Sequence, residues 1–441
     1  MNDFEVKRIR ITNLFGVIPE HIIDLKEGGI TFIHGPNGCG KTTCLRLISA
    51  VFNWEISVLM EINFNSIEIE KASGEALKIT KQLKERWNTR IPELVFTSSK
   101  NKTFTMSREK EDIRISPSYI EEVIPNLTRI GPREWVDMNQ GIKLEYQDII
   151  DKYVGVFPFL SDKKRPEWLE NFIKSINLHF IKTQRLLKVD YTLARRHRPD
   201  ESSTSDVIQI YSNEIKELIN KKLAEQAAMS QVHDRSFPQR LLSLNIDDTV
   251  SEMEIRLQYA ETEKKIQKLV EAGLIDKQDN IALPQKQFAD TERRVLSLYL
   301  QDVNTKLAVF DDLQKKIETF LGVINAKFKS KYFTVNRDYG FCIHIANSPN
   351  STLLPTQLSS GEQHQIVLFY ELIFKASENS FFLIDEPEIS LHVDWQRMFL
   401  DDIHKIAQLG DRQFLIATHS PQIIGSYRNL AVALEEGILH E

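Results

Sequence analysis

The residues with the clearest capacity for chemistry are Gly35-Pro-Asn-Gly-Cys-Gly-Lys-Thr42, which follow directly on the apolar run Ile30-Thr-Phe-Ile33. Gly35 and Gly40 with four residues between them, then Lys41 and Thr42, fit a phosphate-binding loop. Glycines let the backbone curl until successive N–H groups converge on one phosphate, at the start of a helix whose dipole already favours an anion. In that arrangement Asn37, Gly38, Cys39, Gly40 and Thr43 line the phosphates and Lys41 reaches the β- and γ-phosphates. The Thr42 hydroxyl takes a Mg²⁺ position. An ordinary glycine turn is the bland alternative. The strand-like run ahead of the loop and the helical apolar spacing of Thr43–Phe52 behind it favour the phosphate site.

Two further stretches end apolar strands in reactive side chains. Phe381-Phe-Leu-Ile384 runs into Asp385-Glu-Pro-Glu388. Adjacent acids at the end of a buried strand are expensive unless a cation or a reaction uses them. Asp385 suits Mg²⁺ on the Thr42 side, and Glu386 suits the base that orients and deprotonates a water, a role worth ~10²–10⁴ in rate. Gln413–Ala417 reads as another strand, and it ends in Thr418-His419-Ser420, from which His419 can touch a γ-phosphate. Between the loop and these stretches, Leu358-Ser-Ser-Gly-Glu-Gln363 opens a helix. Ser359 and Glu362 satisfy a capping box. Ser359 and Gly361 at a helix N-terminus also suit a γ-phosphate, and the two readings are compatible.

These groups need rigid elements to hold them. Phe4–Thr12 alternates as a half-buried strand does, with a second strand at His21–Leu25. Ile62–Glu70 and Ala76–Thr80 flank Ser73-Gly74 as a hairpin, and strands follow at Glu93–Thr97 and Lys102–Met106. The expected result is an antiparallel layer beside the parallel sheet that the loop requires. Residues 118–178 read as helical and irregular, punctuated by prolines, before strand character returns at Asn177–Thr183. Pro199–Asp206 is polar and rich in breakers, the best boundary in the chain. Beyond it the sequence is charged and helix-favouring. Leu296, Tyr299, Val303, Phe310, Leu313, Ile317, Phe320 and Ile324 recur at 3–4 spacing, which fits a short antiparallel coiled-coil arm or one face of a packed helical subdomain. Lys331–Val335 and Gly340–Ile345 pair as strands, and Asn347–Ser351 reads as a polar loop.

Composition bounds the class. The chain has 441 residues, 27% of them charged, and a net charge of −6, which is not that of a globally basic nucleic-acid binder. No run approaches the ~18 apolar residues of a membrane span, and Met1–Arg8 lacks a secretory apolar region. Cys39, Cys44 and Cys342 have no metal-type spacing. The expectation is a cytoplasmic protein with reduced thiols and no membrane partner.

In order, the chain presents a phosphate loop, a Gln at a strand end (Gln184), a Ser-Ser-Gly-Glu helix start, an Asp-Glu strand end and a His strand end. This order resembles the ABC-type ATPases of the branch containing RecF, Rad50, SMC and the OLD proteins. The resemblance covers about residues 1–55, 177–190 and 340–425. It implies an α/β ATPase head, a mixed sheet plus an antiparallel β layer, with an inserted helical or short coiled-coil arm. Residues 1–199 and 331–441 would form the two parts of the head and residues 200–330 the insertion. It implies ATP and Mg²⁺ as ligands, Gln184 as the sensor of Mg²⁺ and water, Ser359 and Gly361 as the signature motif, and His419 as the switch histidine. Ser390-Leu-His392 falls at the D-loop, where many members have Asp in the third place. The family also implies a homo-oligomer in which the signature serine of one subunit closes over the nucleotide of another.

Gln184 and Ser359 stand about 175 positions apart, more than transporter subunits commonly carry and too few for a long DNA-tethering coil. No Asp-x-Asp pair occurs, so any nuclease is expected on a separate chain. That layout resembles the stand-alone ATPases of bacterial anti-phage systems, nearest those of PARIS (AriA) and then Septu. The resemblance implies a scaffold that holds a TOPRIM- or HNH-type nuclease effector and releases it when a phage protein is sensed. A RecF-like DNA-repair ATPase is the alternative. The basic clusters Lys163-Lys-Arg165 and Arg195-Arg-His-Arg198 allow DNA contact, although charge runs are usually solvated surface.

Overall fold

Strict alternation of apolar and polar residues buries one face of a sheet and leaves the other wet. β1 (Val6–Leu14) does this, burying Ile9 and Ile11 while Arg8 and Arg10 stay outside. It pairs antiparallel with β2 (Ile18–Asp24). After β3 (Ile30–His34) the layer continues with β4 (Ser66–Lys71), β5 (Ala76–Arg86), β6 (Thr89–Ser98) and β7 (Thr103–Ser107), in the order β2-β1-β4-β5-β6-β7. Register aligns Ile11, Ile67, Ile79 and Phe96 across four strands, a continuous apolar row on the inner face. The expected antiparallel layer is present.

Runs without alternation need burial on both faces, which a parallel sheet provides. β3 lies in a second sheet with β8 (Asn177–Ile181), β9 (Ser380–Asp385), β10 (Arg412–Ala417) and β11 (Ala431–Ala433), in the order β8-β9-β10-β3-β11. Every pairing in it is parallel. All six residues of β9 and of β10 are buried. Helix α1 (Lys41–Phe52) leaves the end of β3 and buries Cys44, Leu45, Leu47, Ile48 and Val51 in a core shared with both sheets. Burial pushes the Cys44 thiol up to about 12, so it stays protonated and packs as a small hydrophobe. Gln413 ties the two sheets together. From β10 its side chain accepts the Val6 N–H at 3.0 Å and donates to the Val6 carbonyl at 2.7 Å, as a neighbouring strand would.

The computed structural model describes residues 5–86, 89–107, 116–124, 126–138, 142–153, 165–181, 187–189, 204–243, 250–276, 282–377, 379–425 and 427–434. Two compact units form. One comprises Met1–Ser205 with Lys375–Glu441, the other Asp206–Phe374. By that division the strands that begin at residue 331 and the helix that begins at 360 belong with the helices.

In the second unit, α2 (Val207–Leu242), α3 (Glu252–Glu271), α4 (Asp290–Ala308) and α5 (Asp311–Asn325) precede a three-stranded antiparallel sheet and α6 (Ser360–Phe374). Asp234 meets Lys306 at 2.7 Å and Arg240 clasps Asp302 at 2.6 Å, so α2 and α4 run antiparallel. Glu252 accepts the Phe288 N–H and Thr262 reaches Asn304, so α3 runs parallel to α4. The apolar series from Leu296 to Ile324 does not follow one helix. The chain breaks between α4 and α5 at buried Phe310, and in α4 the buried apolar positions are Leu298, Leu300 and Leu307 while Tyr299 is half exposed. Lys306 is drawn aside by its ion pair with Asp234, and three helices share the burial that a two-helix coil would place on a single stripe.

Two local readings change. Residues 118–178 contain a small antiparallel sheet, Leu127–Gly131, Glu134–Asp137 and Ile142–Glu145, packed through Trp135 and Leu144 against Ile120 and Ile149. Strands of four or five residues show too little alternation to register as such. The polar stretch after Ile345 forms an edge strand, Ser348–Leu353, whose composition suits an exposed edge.

Replacing Gln413 by Leu keeps the volume but strands the Val6 N–H and carbonyl. Each unsatisfied buried group costs ~1–3 kcal/mol, so urea unfolding of Gln413→Leu should show a loss of about 2–6 kcal/mol.

Candidate functional site

Parallel pairing puts the C-terminal ends of adjacent strands along one edge, and open α/β sheets bind ligands there. Asp385 lies opposite Ala417 and Ala417 opposite Ile33, so the acids, the histidine turn and the phosphate loop all leave the sheet at this edge. The loop is shaped by what it must avoid. A Cβ on Gly35 would lie 2.5 Å from the Leu434 carbonyl oxygen, and Gly40 has φ +91° with Leu14 against it. From β2, buried His21 donates from Nε2 to the Cys39 carbonyl at 2.8 Å. Burial lowers the pKa of its imidazole against the smaller opposing effect of that bond, keeping it a neutral brace.

The start of α1 is prepared for an anion. Its N-cap is Gly40, no side chain caps it, and no acid stands in its first turn, so its first amides point outward unclaimed. Pro36, Asn37, Gly38 and Thr42 are exposed. Lys41 folds back, its Nζ 2.9 Å from the Gly35 carbonyl and 3.0 Å from that of Pro36, with Cys39 Sγ at 3.8 Å. Carbonyl partners of this kind can be exchanged for phosphate oxygens.

The Thr42 hydroxyl donates to Asp385 Oδ1 at 3.0 Å. Burial raises the Asp385 carboxyl above its ordinary range, and Glu386 and Glu388 add to the shift, against the Thr42 hydrogen bond and Lys41. Among the described residues no group of three or more His, Cys, Asp or Glu could hold a metal ion by itself. A hydroxyl and one carboxylate do fit Mg²⁺, which keeps its waters and takes much of its shell from phosphates.

Glu386 has φ 42° and ψ 62°, in the left-handed region, immediately before Pro387. Both features oppose this backbone, at a cost of roughly 1–3 kcal/mol. Its N–H donates to the Ala417 carbonyl at 2.9 Å, which extends the β9–β10 pairing one residue past the strand. The Glu386 Oε1 lies 3.3 Å from His419 Nε2, with both side chains about 30% exposed. Glu388 holds the histidine turn from beneath. Its Oε1 accepts from the Thr418 hydroxyl at 2.9 Å and from the N–H groups of His419 and Ser420 at 2.6 and 3.1 Å. Ser420 in turn donates to Gln396 Oε1 at 2.7 Å. His392 caps the helix Val393–Ala407 by accepting the Asp394 N–H at 3.4 Å, a task Asp performs equally well.

Lys41, Thr42, Asp385, Glu386 and His419 therefore come together as expected. Gln184 lies outside the described residues. Ser359 and Gly361 lie in the second unit, where Ser359 is exposed. Its N–H donates to the Glu362 carboxylate at 2.9 Å and its Oγ accepts the Glu362 N–H at 3.4 Å, which together make the capping box. The Ser359 hydroxyl also donates to that carboxylate at 2.9 Å, and Lys331 grips it at 2.8 and 2.9 Å. Burial would raise Glu362, but the bonds from Lys331 and Ser359 outweigh it and hold the carboxyl below its ordinary range. Sequence reasoning assigned nothing to His21, Glu388 or Gln396. Only the third acid of Asp385-Glu-Pro-Glu388 offered a signal.

A family model for the AAA ATPase domain matches residues 5–424. The chain belongs to that family. UvrABC system protein A of Oceanobacillus iheyensis is 35% identical to this ATPase domain over 116 residues, 26% of this chain and 11% of that protein. The spermidine/putrescine import ATP-binding protein PotA of Mycoplasma genitalium is 23% identical over 459 aligned residues, 94% of this chain and 71% of that one. The Smc head domain of Pyrococcus furiosus, solved with an extended coiled coil and bound to the C-terminal domain of ScpA, aligns over 98% of this chain and 94% of its own. Its TM-score is 0.37 at 12% identity, too low to transfer anything. The family agrees with the broad resemblance to ABC-type ATPases read from the motifs, and no described helix is long and apolar enough to cross a membrane.

Because folding favours protonated Asp385, the nucleotide-free fold loses stability as pH rises from the ordinary aspartate range toward the raised folded pKa, and the loss is complete above it. Asp385→Asn should therefore melt higher than the parent at pH 7 in the absence of nucleotide. The gap should close below about pH 4, where the acid is protonated folded and unfolded alike. Thermal melts across pH measure this.

Proposed function

We propose that the chain hydrolyses ATP with Mg²⁺, in sandwiches between copies of itself, and that this cycle makes it the sensor and scaffold for a separate nuclease effector in anti-phage defence in the bacterial cytoplasm. The observation that carries the catalytic part is the meeting of four side chains from three distant segments: Thr42 on Asp385 at 3.0 Å and Glu386 on His419 at 3.3 Å. They meet beside a helix start left uncapped for an anion.

The residues divide the work. Lys41 exchanges its loop carbonyls for the β- and γ-phosphates, and the amides from Asn37 to Thr43 take the remaining oxygens. Thr42 and Asp385, with Gln184, hold Mg²⁺, which supplies charge neutralisation at the phosphates. Glu386 takes the proton of the attacking water, and His419, in contact with that carboxylate, orients the pair toward the γ-phosphate. Ser359 and Gly361 act on a second subunit's nucleotide. The exposure and the preset capping geometry of Ser359 support this, because an exposed helix start is free to meet a phosphate held by another copy.

The defence role rests on the motif order and on Glu-Pro-Glu-Ile-Ser-Leu-His392, which resemble the branch that contains the OLD proteins. A RecF-like DNA-repair ATPase is the second reading, favoured by the two basic clusters. Of these only Arg165 is described, and its guanidinium lies over the Trp54 ring at 4.9 Å. On the outer face of β1, Lys7, Arg8 and Arg10 pair with Glu70, Asp24 and Glu20, which leaves that face locally neutral. ATP turnover stimulated by DNA ends or junctions would select the repair reading. Recovery of a nuclease that is released on exposure to a phage protein would select the defence reading.

Glu386→Gln should bind ATP with unchanged affinity, lose turnover by ~10²–10⁴ and accumulate the assembled particle, read by mass with and without ATP. Turnover at the parent rate would remove Glu386 from the role of base. Lys41→Ala should instead weaken nucleotide binding itself, measured by titration calorimetry.

A further inference from the structure

Three carboxylates stand within four positions at the end of β9, and the roles above use two of them. The third, Glu388, meets the turn after β10. One of its oxygens, Oε1, receives three donors, the Thr418 hydroxyl and the His419 and Ser420 N–H groups, at 2.6 to 3.1 Å. The other, Oε2, is buried without a hydrogen-bond partner. A buried carboxylate oxygen left unsupported is costly, so the fold accepts a penalty to keep an acid here. What it obtains is one anchor for three consecutive residues centred on His419.

The anchor closes a ring. The Ser420 hydroxyl donates to Gln396 Oε1, and Gln396 Nε2 donates to the Leu391 carbonyl at 3.1 Å and the Glu388 carbonyl at 3.5 Å. Glu388 also follows Glu386 by two residues, through the constrained Glu386-Pro387 step. One short segment thus carries the group that contacts His419 Nε2 and the group that fixes the His419 backbone. Neither can shift without disturbing the other.

Resting on the ATPase reading above, we propose that Glu388 is the positioning residue that sets His419 against Glu386, with Gln396 as its strut. It touches no substrate. Its contribution is to hold the histidine backbone in the one placement from which Nε2 meets the base, and to transmit any movement of the Glu386 turn to the histidine. A misplacement of about 1 Å in such a pair can cost ~10² in rate.

The test is a kinetic cycle on the full chain with Mg²⁺ and ATP. Glu388→Ala should lower kcat by about a hundredfold with KM for ATP and nucleotide affinity essentially unchanged. Combining it with His419→Ala should be no slower than His419→Ala alone, because the two act as a unit. Glu388→Gln, whose amide oxygen can accept the same three donors, should recover most of the loss. Multiplicative losses in the double variant, or a Glu388→Ala kcat at the parent level, would overturn the assignment. Should Glu388→Ala fail to fold, Thr418→Val removes one donor at nearly constant volume. A kcat reduced several-fold at unchanged KM supports the anchor, and an unchanged kcat overturns it. Turnover abolished by Glu386→Gln but untouched at position 388 defeats this proposal alone, whereas a parent chain without ATP turnover defeats the ATPase reading with it.

Discussion

A threonine hydroxyl and an aspartate carboxylate 343 positions apart share a hydrogen bond of 3.0 Å, and the first unit is built so that they can. Thr42 opens the helix after β3, and Asp385 ends β9. Between these two strands lies β10, and parallel register carries all three to a common edge. Parallel pairing demands strands buried on both faces, and the runs Ile30–Ile33, Phe381–Ile384 and Phe414–Ala417 meet that demand. The same register that makes the core makes the site. A slip of one residue would turn Asp385 to the other face of the sheet and separate it from Thr42.

Around this contact the molecule accepts local costs that have no evident value to the core. Asp385 is buried beside two other acids, which pushes its carboxyl upward. Glu386 occupies a left-handed backbone before a proline, and Glu388 buries an oxygen with no partner. Strain and unfavourable charge gathered at one strand end are what a prepared anion and cation site requires, because each ligand relieves a penalty already present. Rigid braces keep the geometry from relaxing. His21 holds the loop at Cys39, Glu388 holds the histidine turn, and Gln413 fastens the outer sheet to β10.

The second unit presents its serine turn differently. Ser359 stands exposed, but its hydroxyl is already aligned by Glu362, which Lys331 pins from the neighbouring strand. Behind it, Tyr370 of α6 stacks on Tyr211 of α2 at 4.1 Å, and Phe320 packs on Phe374 and Phe341. The helix that carries the serine is thus seated in an aromatic core, with the phenols of Tyr211 and Tyr370 bonded to Glu371 and Glu214. These rings join the long helix α2 to α6.

Local chemistry made much of this legible beforehand. Glycine spacing, apolar runs ending in acids or histidine, and a capping box are short-range patterns, so the phosphate loop, Asp385, Glu386, His419 and the Ser359–Glu362 box could be read from the sequence by itself. The antiparallel layer was equally plain, because alternation over six or more residues is hard to mistake. The small sheet at 127–145 and the edge strand at 348–353 were not, since four to six residues of mixed polarity carry almost no period. Only the tertiary structure decided that α4 and α5 are separate helices, that three helices share one burial, and that His21, Glu388, Gln396 and Gln413 support the site. Those residues act on partners brought near by strand register and sheet packing, and no spacing along the chain encodes a contact that folding alone creates.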